Sequence, residues 1–175
     1  MADIEMAAEA QAEGCACGGV LHSARYPRKP RGGPPAGLRA EYSTRESLCC
    51  AVEGCRRRVT PPSLRFLGRR VYLGAVVVLV SAMTGGVTEK RAAKMRDFAG
   101  VSIRTLQRWR TWWLATIPRT VFWKGARGRF APPVEETGLP GSLLERFGAA
   151  ARDGLLACLR FLSPITIRGG CAMAE

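Results

Sequence analysis

The sequence predicts a mainly α fold with a small loop-rich module ahead of it, and three observations carry that expectation. Helical periodicity and capping signals concentrate after Val71. Five of the seven cysteines lie before it, around a stretch rich in Pro, Gly and Arg. The charge is strongly basic: 27 Lys and Arg against 14 Asp and Glu give +13. Asp3, Glu5, Glu9 and Glu13 all precede the first basic residue, so beyond Gly14 the same 27 bases face only ten acids. A field of that sign attracts polyanions, nucleic acid first and anionic lipid second. At 175 residues, with 47% hydrophobic side chains, the chain has room for one ordinary domain or two small modules.

Taken in order, residues 1–13 form an acidic opening without the basic start and apolar run of a secretory signal, which predicts a disordered tail on a cytoplasmic protein. Residues 14–70 contain "RYPRKPRGGPPAG", where Pro27, Pro30, Pro34 and Pro35 exclude a long helix. The cysteines Cys15, Cys17, Cys49, Cys50 and Cys55 bracket this stretch, and without a secretion signal thiols or metal ligands are expected rather than disulfides. Cys158 falls in an apolar helical pattern, as a small buried hydrophobe would. Cys171 stands alone.

Residues 71–117 predict a trihelical unit. The run Val71 to Met83 is too short to span a bilayer, which needs about 20 apolar residues. It reads as a buried helix, with a buried strand as the alternative because Val76, Val77, Val78 and Val80 are β-branched. "TGG" at Thr84 to Gly86 stops it, Thr88 caps a second helix through Phe98, and Gly100 makes the turn. Ser102 then caps a third helix whose apolar positions are Ile103, Leu106, Trp109 and Trp113, and Pro118 ends it. A stripe of tryptophans is core by default, with Trp112 at its edge. Residues 118–141 read as a basic Pro/Gly linker. Residues 142–163 read as a C-terminal amphipathic helix opened by a capping box of Ser142 and Glu145, weakened by Gly148 and Gly154. Its apolar face is expected either to pack on the trihelical unit or to join two copies in a homodimer. Residues 164–175 form a tail.

The turn and third helix have the layout of a helix-turn-helix. Gly100 tolerates the corner, Val101 plugs it, and Leu106 and Trp109 anchor the helix, which turns Arg104, Thr105, Gln107, Arg108 and Thr111 outward. Arginine pairs bidentately with guanine and glutamine with adenine, and a groove-reading helix presents its N-terminal half to base edges. Lys90, Arg91, Lys94 and Arg96 on the preceding helix, with Arg110, are candidates for phosphate contacts. "FAGVSIRTLQRWRTWW" resembles the helix-turn-helix in the N-terminal part of bacterial transposases and related mobile-element proteins, in which Gly-Val-Ser-x-x-Thr-Leu-x-x-Trp is frequent. The resemblance covers Lys90 to Trp113. It implies structural roles for Gly100, Val101, Leu106 and Trp109, and a DNA-facing surface that includes Ser102, Arg104, Gln107 and Arg108. Arg96 departs from the pattern, which usually has a small Ala there.

"CACGGVLHSARYPRKPRG" and "LCCAVEGCRRRVTPPSLRFLG" are similar to the zinc-ribbon segments that precede the helix-turn-helix in some transposase-like proteins. Structural zinc takes four thiolate or imidazole ligands, commonly as two close pairs. The expected set is Cys15, Cys17, Cys50 and Cys55, with His22 and Cys49 as alternates because Cys15-Ala16-Cys17 is one residue shorter than the usual C-x2-C pair.

An enzyme is not expected. Metal-dependent strand transfer needs converging carboxylates, and after the third helix the chain offers only Glu135, Glu136, Glu145, Asp153 and Glu175. No phosphate-binding Gly-Lys-Ser/Thr loop is present, and a small-molecule substrate is not expected. The sequence therefore predicts a non-catalytic protein that binds double-stranded DNA, cytoplasmic and associated with the nucleoid, with no membrane partner. The alternative is a zinc-stapled RNA-binding or ribosome-associated protein.

Overall fold

A computed structural model describes residues 2–28, 43–67, 74–84, 93, 101–148, 152–167 and 172–174. It is mainly helical, with a small cysteine-rich module near the N-terminus. Among the described residues no helix is long and apolar enough to cross a membrane.

The acidic opening is not a disordered tail. Ala2–Glu13 forms a helix, α1, because its burial is bought by one side chain: Asp3 is 4% exposed. Its Oδ1 accepts from the Leu64 amide at 2.7 Å, and its Oδ2 accepts from Ser63 Oγ at 2.5 Å and from Arg65 Nε at 3.0 Å. Ala2 and Met6 pack on the main core, while Gln11 Nε2 donates to the Leu21 carbonyl. The helix thus joins the cysteine module to the helical body.

That module holds two small antiparallel sheets. Strands β1 (Leu21–Ser23), β4 (Leu48–Cys50) and β5 (Arg58–Val59) form one, in the order β1-β4-β5. Strands β2 (Tyr26–Pro27) and β3 (Thr44–Arg45) form the other. The first sheet buries only Cys15, Leu21, Leu48 and Cys50 as its own cluster. The strap that follows buries Leu64, Phe66 and Leu67 and crosses α2 (Gly74–Thr84) at Gly74, where an added Cβ would lie 2.8 Å from the Leu64 carbonyl oxygen.

The valine run is a helix rather than a strand, with Val77, Val78 and Val80 buried. The predicted second helix of the trihelical unit, with Lys90, Arg91, Lys94, Arg96 and the Gly100 corner, lies outside the described residues except for Ala93, which is helical. Helix α3 (Ile103–Thr111) starts where Ser102 caps it, its side chain accepting from the Thr105 amide. Trp109, an expected anchor, is fully buried and Val101 is buried beside the cap, whereas Ile103, another of the helix's apolar positions, is 56% exposed.

Past Thr111 the helix widens into a π turn over Trp112–Thr116, in which the Ile117 amide donates to the Trp112 carbonyl. One extra residue per turn rotates the following side chains. Trp112 and Trp113, at the start of this turn, are both buried and meet edge to face at 4.7 Å.

The segment 118–141 is not a linker. Thr120, fully buried, caps α4 (Val121–Ala126) by accepting from the Trp123 amide while donating to the Ile117 carbonyl at 2.7 Å. Trp123, Val134 and Leu139 join the main core. Trp123 Nε1 donates to Glu136 Oε1 at 2.7 Å, and Arg127 reaches the same oxygen at 3.0 Å. Short stretches of apolar sequence without a sustained period concealed this packing.

The predicted C-terminal helix is two helices, α5 (Gly141–Arg146) and α6 (Arg152–Leu162). Gly148, at φ +65°, takes a left-handed turn that ends the first. Gly154 then lets α6 approach so closely that a Cβ there would sit 2.3 Å from the Phe147 carbonyl oxygen. The expected capping box does not form: Pro140 occupies the cap position, and Ser142 Oγ donates to the Glu135 carbonyl instead. Cys158, Leu159 and Leu162 of α6 are buried in the chain's own core. The closing segment is also placed, since Met173 bridges Thr120.

Asp3→Ala should lower stability by about 1–3 kcal/mol, because it leaves the Leu64 amide and the Ser63 hydroxyl without their acceptor, while Arg65 keeps Glu46 at 3.6 Å. Urea denaturation followed by tryptophan fluorescence and far-ultraviolet circular dichroism checks this; an unchanged midpoint would mean that α1 is not docked.

A candidate metal centre and the exposed face of the third helix

The sulfurs of Cys15, Cys17, Cys50 and Cys55 all lie within 4.8 Å of one another. The short contacts run across the two pairs, Cys17 to Cys50 at 3.5 Å and Cys15 to Cys55 at 3.8 Å. Both are far too long for a disulfide bond and close to the roughly 3.8 Å edge of a tetrahedron of sulfurs about 2.3 Å from a zinc ion. The four thiols are thus compatible with a zinc site.

Two turns bring them there. After α1, Gly14 takes φ +75° and Gly18 φ +81°, and the Cys15 amide donates to the Gly19 carbonyl while the Gly18 amide donates back to Cys15. This tight loop compensates for the missing residue of the C-x-C spacing. Gly19 is required by contact: a Cβ on it would lie 2.8 Å from Cys50 Sγ and 2.6 Å from a Val52 methyl. The second turn links β4 to β5, with the Cys55 and Arg56 amides donating to the Val52 carbonyl and the Cys50 amide to the Arg57 carbonyl.

Strand alternation decides the alternates. His22 pairs with Cys49 and Leu21 with Cys50 across β1 and β4. Successive side chains point to opposite faces of a strand, so with Leu21 and Cys50 buried, His22 and Cys49 lie on the other face. His22 is exposed, and Cys49 Sγ donates to the Arg56 carbonyl.

The thiols do not ionise alike. The Gly19 amide, then the thiols of Cys50, Cys55 and Cys15, bring Cys17 down to about 7. At Cys50 the Val52 amide favours the thiolate, but burial and the neighbouring thiols outweigh it and push the group up to about 12. Cys55 is raised: the Arg57 amide opposes the shift, and the Cys17 thiol and burial carry it. One negative charge thus forms readily and discourages the next. A divalent cation reverses that order, because a coordinated thiol is deprotonated outright.

A second feature is the outer side of α3. Arg104, Gln107, Arg108 and Thr111 are exposed and, with Trp112 and Thr116, line one shallow hollow. Arg104, Arg108 and Arg110 make no ion pair among the described residues, whereas Arg25, Arg65, Arg127 and Arg160 are each paired with a carboxylate. Ser102 and Thr105, expected on the contact surface, have hydroxyls bonded to each other in the cap, and the Thr111 hydroxyl bonds back to the Gln107 carbonyl. Trp112 and Thr116, which continue the i, i+4 row of Arg104 and Arg108, also line the hollow and were not among the expected contact residues. Lys90, Arg91 and Lys94 lie outside the described residues.

No protein-family model, curated protein or solved structure matches the chain.

In metal-free protein, alkylation of Cys17 by iodoacetamide should rise through pH 7 and level off above it, because the thiolate is the reacting form and its lowered pKa places half-ionisation near neutrality. Cys158, buried and pushed up to about 12, should stay unmodified over the same range. Peptide mass spectrometry across pH 5 to 9 (roughly the range in which folded proteins remain stable) separates the two; equal rates at both cysteines would contradict the geometry.

Proposed function

We propose that this is a non-catalytic, duplex-DNA-binding protein of transposase or mobile-element type, stapled by zinc at Cys15, Cys17, Cys50 and Cys55. The observation that carries the reading is the outer side of α3. A short helix, capped at Ser102 and held by the buried Trp109 and Trp113, presents Arg104, Gln107 and Arg108 to solvent, with no acidic partner for either arginine among the described residues. Those side chain types read guanine and adenine edges in the major groove, and a helix lying in that groove has its inner side anchored in this way. The strong excess of basic charge supplies the salt-dependent attraction to phosphate. Within this reading the protein sits on the nucleoid. Zinc does structural work, since four thiolates leave no coordination position open for chemistry.

Selection from random duplexes is the primary test. One sequence class should emerge, and Arg108→Ala should cost about 1–3 kcal/mol of discrimination on that site while leaving non-specific binding nearly unchanged. Tighter binding to structured RNA than to any duplex at matched salt would overturn the reading in favour of an RNA-binding protein.

For the metal, protein purified without chelator should carry about one zinc per chain. Cys50→Ser should abolish the retention, and chelation should lower the melting temperature. Metal-free protein with an unchanged melting curve would remove zinc from the account.

A further inference from the structure

The turn that supplies Cys55 to the thiol cluster continues directly into three arginines, Arg56, Arg57 and Arg58, all exposed. None of the three makes an ion pair among the described residues. The nearest acid in sequence is the exposed Glu53 of the same turn. The run is not a loose charged tail, because its backbone is held at every step. The Arg56 amide donates to the Val52 carbonyl, the Arg56 carbonyl accepts from Cys49 Sγ, the Arg57 carbonyl accepts from the Cys50 amide, and Arg58 pairs with Cys49 across β4 and β5. Arg56 also takes φ +43°, a left-handed conformation that ordinarily selects glycine. Since Cys55 precedes Arg56 directly, whatever holds the Cys55 sulfur helps to hold this corner.

We infer that the Arg56-Arg57-Arg58 hairpin is a second contact to the duplex, gripping backbone phosphates, and that the metal-bound thiol cluster sets its shape. The inference rests on the duplex-binding reading above. It assigns the hairpin to phosphates rather than to bases because the three guanidinium groups sit on a short exposed turn and strand edge rather than along a groove-filling helix, and phosphate contacts position a protein without reading sequence. The competing role for the same arginines is internal. A divalent metal with four thiolates carries two net negative charges, which three adjacent guanidinium groups could offset.

The experiment uses the zinc-loaded full chain and a fluorescent duplex of mixed sequence, with binding measured from low to moderate salt. Arg57→Gln combined with Arg58→Gln should lower affinity about tenfold at moderate salt and reduce the slope of log K against log salt by about 2, since each phosphate contact contributes about 0.9. Zinc content and the preference set by Arg108 should remain as in the parent. Arg57→Lys with Arg58→Lys keeps the charge and should keep the slope. Chelated protein should show the shallow slope of the glutamine variant. An unchanged slope in the glutamine variant with zinc retained would overturn the inference, as would loss of zinc from that variant, which would make the arginines counter-charges of the metal. Failure of the duplex-binding reading itself looks different, because then Arg108→Ala and the hairpin variants are all without effect.

Discussion

The Asp3 carboxylate is the interaction on which the rest of the arrangement depends. It satisfies the Leu64 amide, the Ser63 hydroxyl and the Arg65 guanidinium together, and the strap it grips leads from the cysteine module into the core. A buried carboxylate without such partners would cost several kcal/mol. With them it pins α1 against the strap on one side and, through Gln11, against β1 on the other. The Ser63 amide in turn donates to the Thr166 hydroxyl oxygen at 2.9 Å, so the last helical turn among the described residues closes on the same point. The first and last helical elements described are thereby tied to one polar knot.

The cysteine module has an opposite character. Its strands are two or three residues long, and its apolar cluster is only Cys15, Leu21, Leu48 and Cys50 with a few half-buried neighbours. Burial on that scale cannot repay the conformational entropy of ordering two sheets and two turns. Cross-linking is what small modules of this kind require, and the four sulfurs sit where one cation would join β1's approach, β4 and the β4–β5 turn in a single step. The unequal ionisation of the thiols is the electrostatic counterpart: without a cation, a thiolate at Cys17 is held by its neutral neighbours, which themselves resist ionising.

The helical body is built around indole burial. Trp109, Trp113 and Trp123 are all fully buried, and the aromatic rings of Phe122, Phe130, Phe147 and Phe161 close the space between α4, α5 and α6. Large rigid side chains need shape-matched partners, and Trp112 and Trp113, side by side in the chain, pack edge to face between the core and the surface. Trp112 borders the hollow beside Arg104 and Arg108 as well, so the same end of α3 contributes to the core on one side and to the exposed basic surface on the other.

What the sequence alone determined is what local rules govern: the Ser102 cap, and the inward Trp109 and outward Arg104, Gln107 and Arg108 that a helical period separates. The rest needed partners distant in the chain. Whether residues 1–13 fold depends on Asp3 meeting Ser63 and Arg65. Residues 118–141 look like a linker until Trp123 finds Glu136 and the core, and the capping box at Ser142 loses to a bond with Glu135. That His22 and Cys49, the alternates, are turned away from the cluster while Cys50 enters it depends on strand register, which a one-residue shift would invert. Periodicity and caps act over three or four residues and are written in the sequence. Register, docking and close approach are settled only when the whole chain competes for the same buried space.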